Sequence, residues 1–286
     1  MKLISYVHGG RSGWGEVRDD GGVAELWLAP SFDGVATLAQ ALDRYSLEDL
    51  LQLAARVPAS LALADLQLLP VIPRPGKILC VGLNYRAHVL ETGREPPEFP
   101  LLFTRFAESQ VGHGTPLVRP RASTRFDYEG ELAVVIGRSA RHVDRSRALD
   151  HVAGFACFND GSIRDWQRHS SHFTAGKNFV GSGAFGPWLV TRDEIPDPAA
   201  LHLRTRVNGV EVQSAPVSDL VFDVPTLIEY VTTFTRLEPG DVLVTGTPSG
   251  VGAYREPRLW LHAGDVVEVE IDGVGVLRNA VIDEPA

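Results

Sequence analysis

The chain has 286 residues, of which 44% are hydrophobic and 22% charged, a composition that suits a globular protein with a large buried core. Its formal net charge is −9 and it has no run of lysine or arginine, which argues against binding to the phosphate backbone of a nucleic acid. Two cysteines are too few for a disulfide framework. No stretch approaches the roughly 18 apolar residues of a membrane-spanning helix, and the first residues lack a secretory signal. We therefore expect a cytoplasmic protein with neither a nucleic-acid nor a membrane partner.

Residues 1–70 have the pattern of a small α/β unit. Residues 3–7 and 23–28 are rich in strand-forming side chains, and glycine-containing turns follow or precede them. From 36 to 57 the apolar spacing becomes helical, and Ser46, followed three residues later by an acid, has the pattern of a helix N-terminus. No chemical motif lies in this unit, so we expect it to serve packing or to shape a dimer.

A proline-rich segment separates this unit from the rest of the chain. Three prolines within 70–75 remove backbone donors and fix the φ angle, which interrupts regular structure. We therefore expect a domain boundary there, with a larger second domain over 74–286. The apolar run 77–82 has the length of a buried strand and begins this second domain.

A histidine and an acid follow this strand at a spacing suited to a helix. If residues 85–91 form a helical turn, His88 and Glu91 lie on one face at i, i+3 and can form a hydrogen bond. A catalytic base and the group that orients it would have this arrangement. The proline-rich sequence after residue 93 places the pair on a mobile flap. The alternative is a surface helix with an incidental His–Glu pair.

Two glutamates stand near the head of an apolar run in the segment 126–137. In an extended strand Glu129 and Glu131 point to the same face, so their carboxylates converge. Two like charges this close repel each other, and a buried pair persists only if a proton or a metal ion neutralises it. The alternative is a solvated strand edge with two exposed glutamates.

An aspartate ends a second apolar strand, predicted over 152–160. Asp160 lies where this buried strand opens into a polar loop, which makes it a candidate third ligand beside Glu129 and Glu131. Three carboxylates without a cysteine or histidine partner favour a hard cation bound through oxygen. We expect Mg²⁺, with Mn²⁺ and Ca²⁺ as alternatives.

Several familiar motifs do not fit the sequence around them. The glycine spacing of 181–186 matches a dinucleotide-binding fingerprint, but a proline and an apolar strand follow it where a helix N-terminus is required. The sequence contains no Gly-x-Ser-x-Gly elbow and no P-loop. His169 and His172 lack the further cysteine or histidine of a zinc site, and we interpret them as surface residues. These patterns add no function.

The final third of the chain is predicted to be mainly β-structure, with Asn-Gly and Asp-Gly turns between strands. An apolar stripe after Asp223 indicates a capped helix. The segment 239–250 then predicts a strand that runs into a glycine-rich loop. Such a loop can bring backbone N–H groups close to a ligand.

Six segments together resemble the fumarylacetoacetate hydrolase family, and in particular its shorter, acylpyruvate-hydrolase-like members. Any one segment is weak evidence, whereas six in the family's order, within residues 74–280, are specific. The segments are 81–91 (VGLNYRAHVLE), 127–137 (DYEGELAVVIG), 159–167 (NDGSIRDWQ), 176–179 (GKNF), 186–191 (GPWLVT) and 245–252 (TGTPSGVG). The resemblance implies a mixed α+β, β-rich fold in which strands roll into a barrel-like sandwich. It also implies that residues 74–286 are the catalytic domain and that the protein is a homodimer.

The same resemblance implies roles for nine residues. Three carboxylates would bind the metal, and a His–Glu dyad on a lid would activate water. A lysine would face developing negative charge, and three further residues would bind substrate or lie near the pocket. In that order the residues are Glu129, Glu131 and Asp160; His88 and Glu91; Lys177; and Gln167, Thr247 and Arg105.

The implied activity is metal-dependent hydrolysis of a C–C bond in a 2,4-dioxo acid of the acylpyruvate type. The products would be a 2-oxo acid such as pyruvate and a carboxylic acid. Decarboxylation of oxaloacetate and isomerisation of a 2-oxo acid generate the same enolate, so both stay open as alternatives. A more remote alternative is a metal-binding β-domain without enzymatic activity, which would have no need of His88, Glu91 and Lys177. The expected partner is a small 2-oxo or 2,4-dioxo acid.

Overall fold

A computed structural model describes residues 1–285, and its elements are numbered in chain order. The strands are β1 (Lys2–His8), β2 (Arg11–Val17), β3 (Gly22–Ala24), β4 (Leu61–Ala62), β5 (Gln67–Leu68), β6 (Ile78–Gly82), β7 (Leu101–Thr104), β8 (Gln110–Val111), β9 (Leu117–Arg119), β10 (Phe126–Asp127), β11 (Gly130–Ile136), β12 (Val152–Asn159), β13 (Ser162–Ile163), β14 (Gly183–Thr191), β15 (His202–Val207), β16 (Val210–Pro216), β17 (Val242–Val244), β18 (Val266–Ile271) and β19 (Gly275–Asp283). The α-helices are α1 (Leu38–Arg44), α2 (Leu47–Ala54), α3 (Arg86–Thr92), α4 (Arg164–Gln167), α5 (Thr174–Lys177) and α6 (Val224–Phe234).

A large mixed sheet forms the centre of the molecule. Its strand order is β4-β3-β2-β1-β14-β12-β11-β17-β6-β7, with β5 paired to β1 and β8 paired to β14. A second sheet, in the order β16-β15-β18-β19-β9, packs against one face of it together with α6. Helices α1 and α2 pack against the other face. The predicted mixed α+β, β-rich sandwich is confirmed, and within the described residues neither sheet closes into a barrel.

Strand β11 is buried on both faces, which explains why its sequence is continuously apolar. Leu132, Val134 and Ile136 enter the core beneath the second sheet, whereas Ala133 and Val135 enter the core beneath α1 and α2. This alternation is the period of two expected for a strand between two layers. The strand is therefore held from both sides, and it fixes the position of the acidic residue at its head.

Four strand ends meet at one edge of the large sheet. Strand β11 runs antiparallel to both β12 and β17, and β6 runs parallel to β17, so the start of β11 lies beside the ends of β12, β17 and β6. The features that the sequence analysis emphasised lie at or just beyond these ends. They are Glu131 on β11, Asp160 after β12, the loop 245–250 after β17, and α3 after β6. The topology thereby assembles residues that are remote in the chain.

The acidic segment 126–136, predicted as one strand, is interrupted at residues 128–129, which is a correction. Strand β10 ends at Asp127, whose carboxylate accepts the backbone N–H groups of Tyr128, Gly252 and Ala253. The Glu129 N–H donates to the side-chain oxygen of Asn159 at 3.0 Å. Side chains thus replace the ladder partners there, and Glu129 lies between β10 and β11 rather than within a continuous strand.

The N-terminal unit differs in detail from its prediction. The helical region predicted over 36–57 forms two helices, because Tyr45 has extended backbone (ψ 143°) and Ser46 begins α2 as its N-cap. The strand predicted over 23–28 ends at Ala24, where the chain turns into a short 3₁₀ segment. Strand β2 was not predicted.

Residues 1–70 contribute strands to the same large sheet as the later strands. Strand β1 pairs directly with β14, with Lys2 opposite Val190. The division into residues 1–70 and 74–286 stays a prediction. Among the described residues, no helix is both long enough and apolar enough to span a membrane.

Candidate active site

The strand ends described above surround an open cleft of about 720 Å³, a volume that includes its mouth. Its floor contains Glu129, Glu131 and Lys177, and His88 faces it from α3. Gln167, at the end of α4, and Thr247, in the loop after β17, also line it. Six of the nine residues named from the sequence line this cleft. Glu91 and Asp160 each contact a lining residue, and Arg105 lies behind Asp160.

Glu129, Glu131 and Asp160 form a buried carboxylate cluster. One carboxylate oxygen from each lies within 4.8 Å of the others. All three residues are at most 5% exposed. The backbone N–H of Asp160 donates to the carbonyl of Glu129 at 2.8 Å, which ties the end of β12 to the link before β11. The solvated-edge alternative for these glutamates is therefore excluded.

Three cationic side chains surround this cluster. The Nζ atom of Lys177 lies 2.6 Å from Glu129 Oε2 and 2.5 Å from Asp160 Oδ2. Arg105 contacts the other oxygen of Asp160 at 2.6 Å, and Arg164 contacts the other oxygen of Glu129 at 2.6 Å. Both oxygens of Glu129 and of Asp160 are thus paired with a cation.

Glu131 lacks such a cationic partner among the described residues. One of its oxygens accepts the backbone N–H of Gly246 at 2.6 Å. Burial raises the pKa of Glu131 well above its usual range, and repulsion from Asp160 and Glu129 raises it further. The buried Glu131 carboxylate therefore requires a proton or an additional cation to neutralise its charge.

For Glu129 and Lys177 the effect of neighbouring charges on the pKa opposes and outweighs the effect of burial. Burial by itself would raise the pKa of Glu129, but the Arg164 guanidinium and the Lys177 ammonium outweigh it and hold that pKa below its usual range. Burial would lower the pKa of Lys177, but Asp160 and Glu129 outweigh it and raise that pKa. Glu129 is ionised and Lys177 is protonated at neutral pH.

The donor set fits a divalent metal ion. Three buried carboxylates at mutual ligand distances provide the oxygen ligands that Mg²⁺ and Mn²⁺ prefer. The uncompensated carboxyl of Glu131 supplies the electrostatic reason for a further cation at this position. The residues that would hold the metal are therefore Glu129, Glu131 and Asp160.

His88 and Glu91 form a hydrogen bond within α3, as their spacing predicted. His88 Nδ1 lies 2.8 Å from Glu91 Oε2, and the other Glu91 oxygen accepts the backbone N–H of Gly250 at 2.8 Å. Because an ionised carboxylate can only accept, a neutral His88 carries its proton on Nδ1 and keeps the Nε2 lone pair free. Tyr254 packs edge-on against the imidazole, with ring centroids 6.2 Å apart. The pair is thus a base with an orienting group, and Glu91 joins it by a hydrogen bond to the glycine-rich loop 245–250.

The two polar residues named for substrate binding line the cleft with partly satisfied groups. Thr247 Oγ1 donates to the carbonyl of Gly130 and accepts from Gln213 Nε2 at 2.8 Å. Gln167 Oε1 accepts from Arg164 at 3.0 Å, and its amide nitrogen has no hydrogen-bond partner within residues 1–285. Gln167 can therefore donate to a ligand.

Arg105 and Asp160 take different positions from the cleft-lining residues. Arg105 is buried behind Asp160, where it also donates to the Gly161 carbonyl at 2.9 Å and to Ser182 Oγ at 2.9 Å. It does not line the cleft, and its geometry suits holding the Asp160 carboxylate rather than touching a ligand. Asp160 likewise lies at the rear of the cluster.

Arg164 is a site residue that the sequence analysis did not name. Its Nε atom contacts Asp127 at 2.7 Å and its Nη1 atom contacts Glu129. Its Nη2 atom is buried and has no hydrogen-bond partner within residues 1–285. It lines the cleft beside Gln167. The available signal was its place in the segment 159–167, three residues before Gln167 and on the same short helix.

Comparison with known proteins gives the family. A family model described as fumarylacetoacetate (FAA) hydrolase C-terminal matches residues 77–282, more than half of the chain. The chain belongs to the fumarylacetoacetate hydrolase family. It is an enzyme of this family that acts on small-molecule acids, so the alternative of a metal-binding domain without activity is set aside.

Individual relatives of this family member have different activities in their names. The mitochondrial oxaloacetate tautomerase of Xenopus laevis is 42% identical over 224 residues, which cover 78% of this chain and 70% of that protein. The structure of a fumarylacetoacetate hydrolase from Exiguobacterium antarcticum has a TM-score of 0.84 and 34% identity, covering 99% of this chain and all of that one. Maleylpyruvate hydrolase from Sphingobium sp. SYK-6, in complex with manganese(II) and pyruvate, has a TM-score of 0.79 and 28% identity over the full length of both chains.

The prediction of a cytoplasmic location is wrong in the light of these relatives. The Xenopus laevis protein and two human oxaloacetate tautomerases are named as mitochondrial, which points away from a plain cytoplasmic location. Cysteine number and the length of apolar runs, on which the prediction was based, do not distinguish one compartment from another.

Proposed function

We propose that this protein is a divalent-metal-dependent tautomerase of a 2-oxo acid of the oxaloacetate class, which interconverts its enol and keto forms. The observation that best supports this proposal is a buried base, His88, that faces the same cleft as the carboxylate cluster and its surrounding cations. The relative named as an oxaloacetate tautomerase, at 42% identity, supports this reaction over the hydrolysis placed first from the sequence.

The proposed metal ligands are Glu129, Glu131 and Asp160, and Mg²⁺ is the expected ion. Mn²⁺ is the first alternative, since the neighbouring maleylpyruvate hydrolase was solved with it, and Ca²⁺ is the second. When bound, the ion would supply Lewis-acid chemistry to the 2-oxo group.

His88 provides the proton transfer at carbon. From the keto acid, Nε2 removes a proton from C3 while the electron pair of that C–H bond forms the C2–C3 double bond and the C2 carbonyl electrons move to its oxygen. The imidazolium then returns this proton from Nε2 to the oxygen at C2, which gives the enol and regenerates neutral His88. Glu91 holds Nδ1–H and stabilises the imidazolium that forms in between. No water is consumed, and the enol product is an isomer of the substrate.

Lys177, Arg164 and Gln167 stabilise the negative charge that develops on the oxygen at C2. Lys177 is kept protonated by Asp160 and Glu129. Arg164 lines the cleft, and its Nη2 atom has no hydrogen-bond partner among the described residues. Hydrogen-bond donors that are already in place, and need not reorient as charge develops, typically contribute much of the transition-state stabilisation. Arg105 acts as a positioning residue in this scheme, because it holds the Asp160 carboxylate from behind.

Hydrolysis of a 2,4-dioxo acid is the second candidate, supported by the same His–Glu geometry and by the maleylpyruvate hydrolase neighbour. His88 would remove a proton from water, whose oxygen adds to the distal carbonyl. The C3–C4 bond then breaks to give a carboxylic acid and the enolate of pyruvate, which takes up a proton.

Formation of a homodimer, which the resemblance to the family implied, also stays a proposal.

Enol-oxaloacetate and acetylpyruvate, each mixed with the purified protein and Mg²⁺, separate these candidates. We expect the enol absorbance of oxaloacetate to decay faster than its spontaneous rate, with oxaloacetate recovered in full. Release of pyruvate and CO₂ would show decarboxylation instead, and conversion of acetylpyruvate to pyruvate and acetate at a higher kcat/KM would favour hydrolysis. Oxaloacetate tautomerisation at the spontaneous rate would overturn the proposal.

A further inference from the structure

Two arginines at the mouth of the cleft have no part in the scheme above. Arg94 and Arg168 line the same cleft as His88 and Glu129. Each follows a helix that carries a site residue: Arg168 comes directly after α4, and Arg94 comes two residues after α3. Gly93 ends α3 in the left-handed region (φ 68°), which turns the chain back at the point where Arg94 begins the next segment.

Their guanidinium groups differ from the other arginines of the site in having no acidic partner. Arg105 and Arg164 each contact buried carboxylates, at 2.6 Å and 2.7 Å for the closest aspartate. By contrast, no carboxylate within residues 1–285 lies within 4.0 Å of the guanidinium of Arg94 or Arg168. Both residues are exposed. The charges at the floor of the cleft are thus compensated, whereas the two charges at its mouth are not.

Part of the cleft lining is apolar. Leu83, Phe103 and Phe173 line it, and Glu129 and Glu131 are the only acids among its lining residues in the described chain. Although the formal net charge of the protein is −9, the cleft combines two exposed arginines without an acidic partner among the described residues with apolar lining side chains. A ligand that carries an anionic group at each end of a short carbon chain fits this distribution.

We propose that Arg94 and Arg168 bind the distal carboxylate of a dicarboxylic 2-oxo acid and make the site selective for dicarboxylates over monocarboxylates. This inference rests on the proposed function, in which the 2-oxo end of the substrate lies at the floor. Guanidinium groups recognise carboxylates through paired N–H donors, which lysine or glutamine cannot reproduce. The two arginines thereby favour a substrate with a second carboxylate, while the apolar lining residues contact its carbon chain.

Binding of two unreactive acids tests this assignment without relying on turnover. The probes are 3,3-difluorooxaloacetate and 3,3-difluoro-2-oxobutanoate, which share a 2-oxo end, lack a removable C3 proton and differ in the distal carboxylate. Calorimetric titration with Mg²⁺ present should show the diacid binding roughly tenfold or more tightly, the effect of about one charge-assisted hydrogen bond. In Arg94→Gln and Arg168→Gln this ratio should fall, and in the double variant it should approach one.

Arg138→Gln is the matched control. Arg138 is exposed and follows the far end of β11, and its replacement makes the same change of net charge. The control should keep the wild-type ratio. Equal affinity of the wild type for both acids, or a wild-type ratio in the double variant, would overturn the assignment. Failure of the proposed tautomerisation would show differently, as selective diacid binding without faster decay of enol-oxaloacetate.

Discussion

Lys177 donates to Glu129 across 2.6 Å, and this contact joins α5 to the link before β11, 48 positions away in the chain. Lys177 is 1% exposed and its ammonium also lies 5.0 Å from the ring centroid of Phe103. A buried lysine in this setting is both a structural counter-ion and the fixed positive charge of the proposed reaction.

Replacement of Lys177 by Met should destabilise the metal-free protein. The change keeps much of the side-chain volume but leaves the buried Glu129 and Asp160 carboxylates without one of their cations, a loss of about 3–5 kcal/mol for a broken buried pair. Denaturant unfolding in EDTA measures the change, and Mg²⁺ should restore part of it. Lys2→Met, which breaks a pair at 3.4 Å between a half-buried lysine and an exposed aspartate, is the control and should have little effect. An unchanged free energy of unfolding for Lys177→Met would contradict the counter-ion role.

Metal affinity should increase with pH because of Glu131. Its pKa is raised in the folded protein, so above the ordinary glutamate pKa of about 4.3 the folded chain retains a proton that the unfolded chain has released. The contribution of Glu131 to the free energy of unfolding of the metal-free protein therefore falls as pH rises from that value through the raised pKa. A metal ion must displace this proton, so binding strengthens over the same range.

Mn²⁺ titrations at a series of pH values check this expectation. The wild type should release protons on binding and bind more tightly at higher pH. Glu131→Gln has no such proton, so its weaker binding should lose most of this pH dependence. A Glu131→Gln protein whose Mn²⁺ affinity follows the wild-type pH profile would show that another group is responsible.

Glu91→Gln should reduce turnover without changing metal affinity. The substitution removes the carboxylate that fixes His88 Nδ1–H and stabilises the imidazolium, and general acid–base catalysis contributes roughly 10²–10⁴-fold. We expect kcat to fall by about tenfold to 100-fold, a part of that contribution. Glu95→Gln, an exposed acid in the segment after α3, is the matched control. Normal kcat in Glu91→Gln would remove the dyad from the mechanism.

Arg105→Met should weaken metal binding although Arg105 does not line the cleft. Arg105 holds one oxygen of Asp160 at 2.6 Å, and outer residues that orient a ligand typically contribute about 10–100-fold to metal affinity. Arg119→Met is the control, because Arg119 pairs with Asp283 at 2.6 Å on the remote strand β9. Calorimetry with Mn²⁺ should separate the two variants, and equal affinities would argue against a positioning role for Arg105.

The sequence predicted the carboxylate cluster and the dyad for different reasons. His88 and Glu91 are three residues apart on one helix, so local geometry is sufficient to bring them together. Glu129, Glu131 and Asp160 are brought together by the pairing of β11 with β12, and the apolar character of both segments with polar residues at their ends made this pairing foreseeable. The resemblance to a known family added Lys177, Gln167 and Thr247.

The residues that were missed or differently placed depend on packing between segments remote in the chain. Arg105 follows β7, the last strand in the sheet order, and yet its guanidinium contacts Asp160 after β12 and Ser182 before β14. The break between β10 and β11 depends on the Asp127 carboxylate, which accepts N–H groups from residues 252 and 253. Periodicity along one segment contains no information about such contacts, so neither feature could be derived from it.

The most direct test of the account is to measure metal binding and proton transfer separately in His88→Ala and Glu129→Ala. Mn²⁺ affinity is measured by calorimetry, and proton transfer by the decay of enol-oxaloacetate with saturating Mg²⁺. We expect His88→Ala to bind Mn²⁺ like the wild type but to lose catalysed decay, and Glu129→Ala to lose both. Catalysed decay at the wild-type rate in either variant would contradict the division of roles between the carboxylate cluster and the His–Glu dyad.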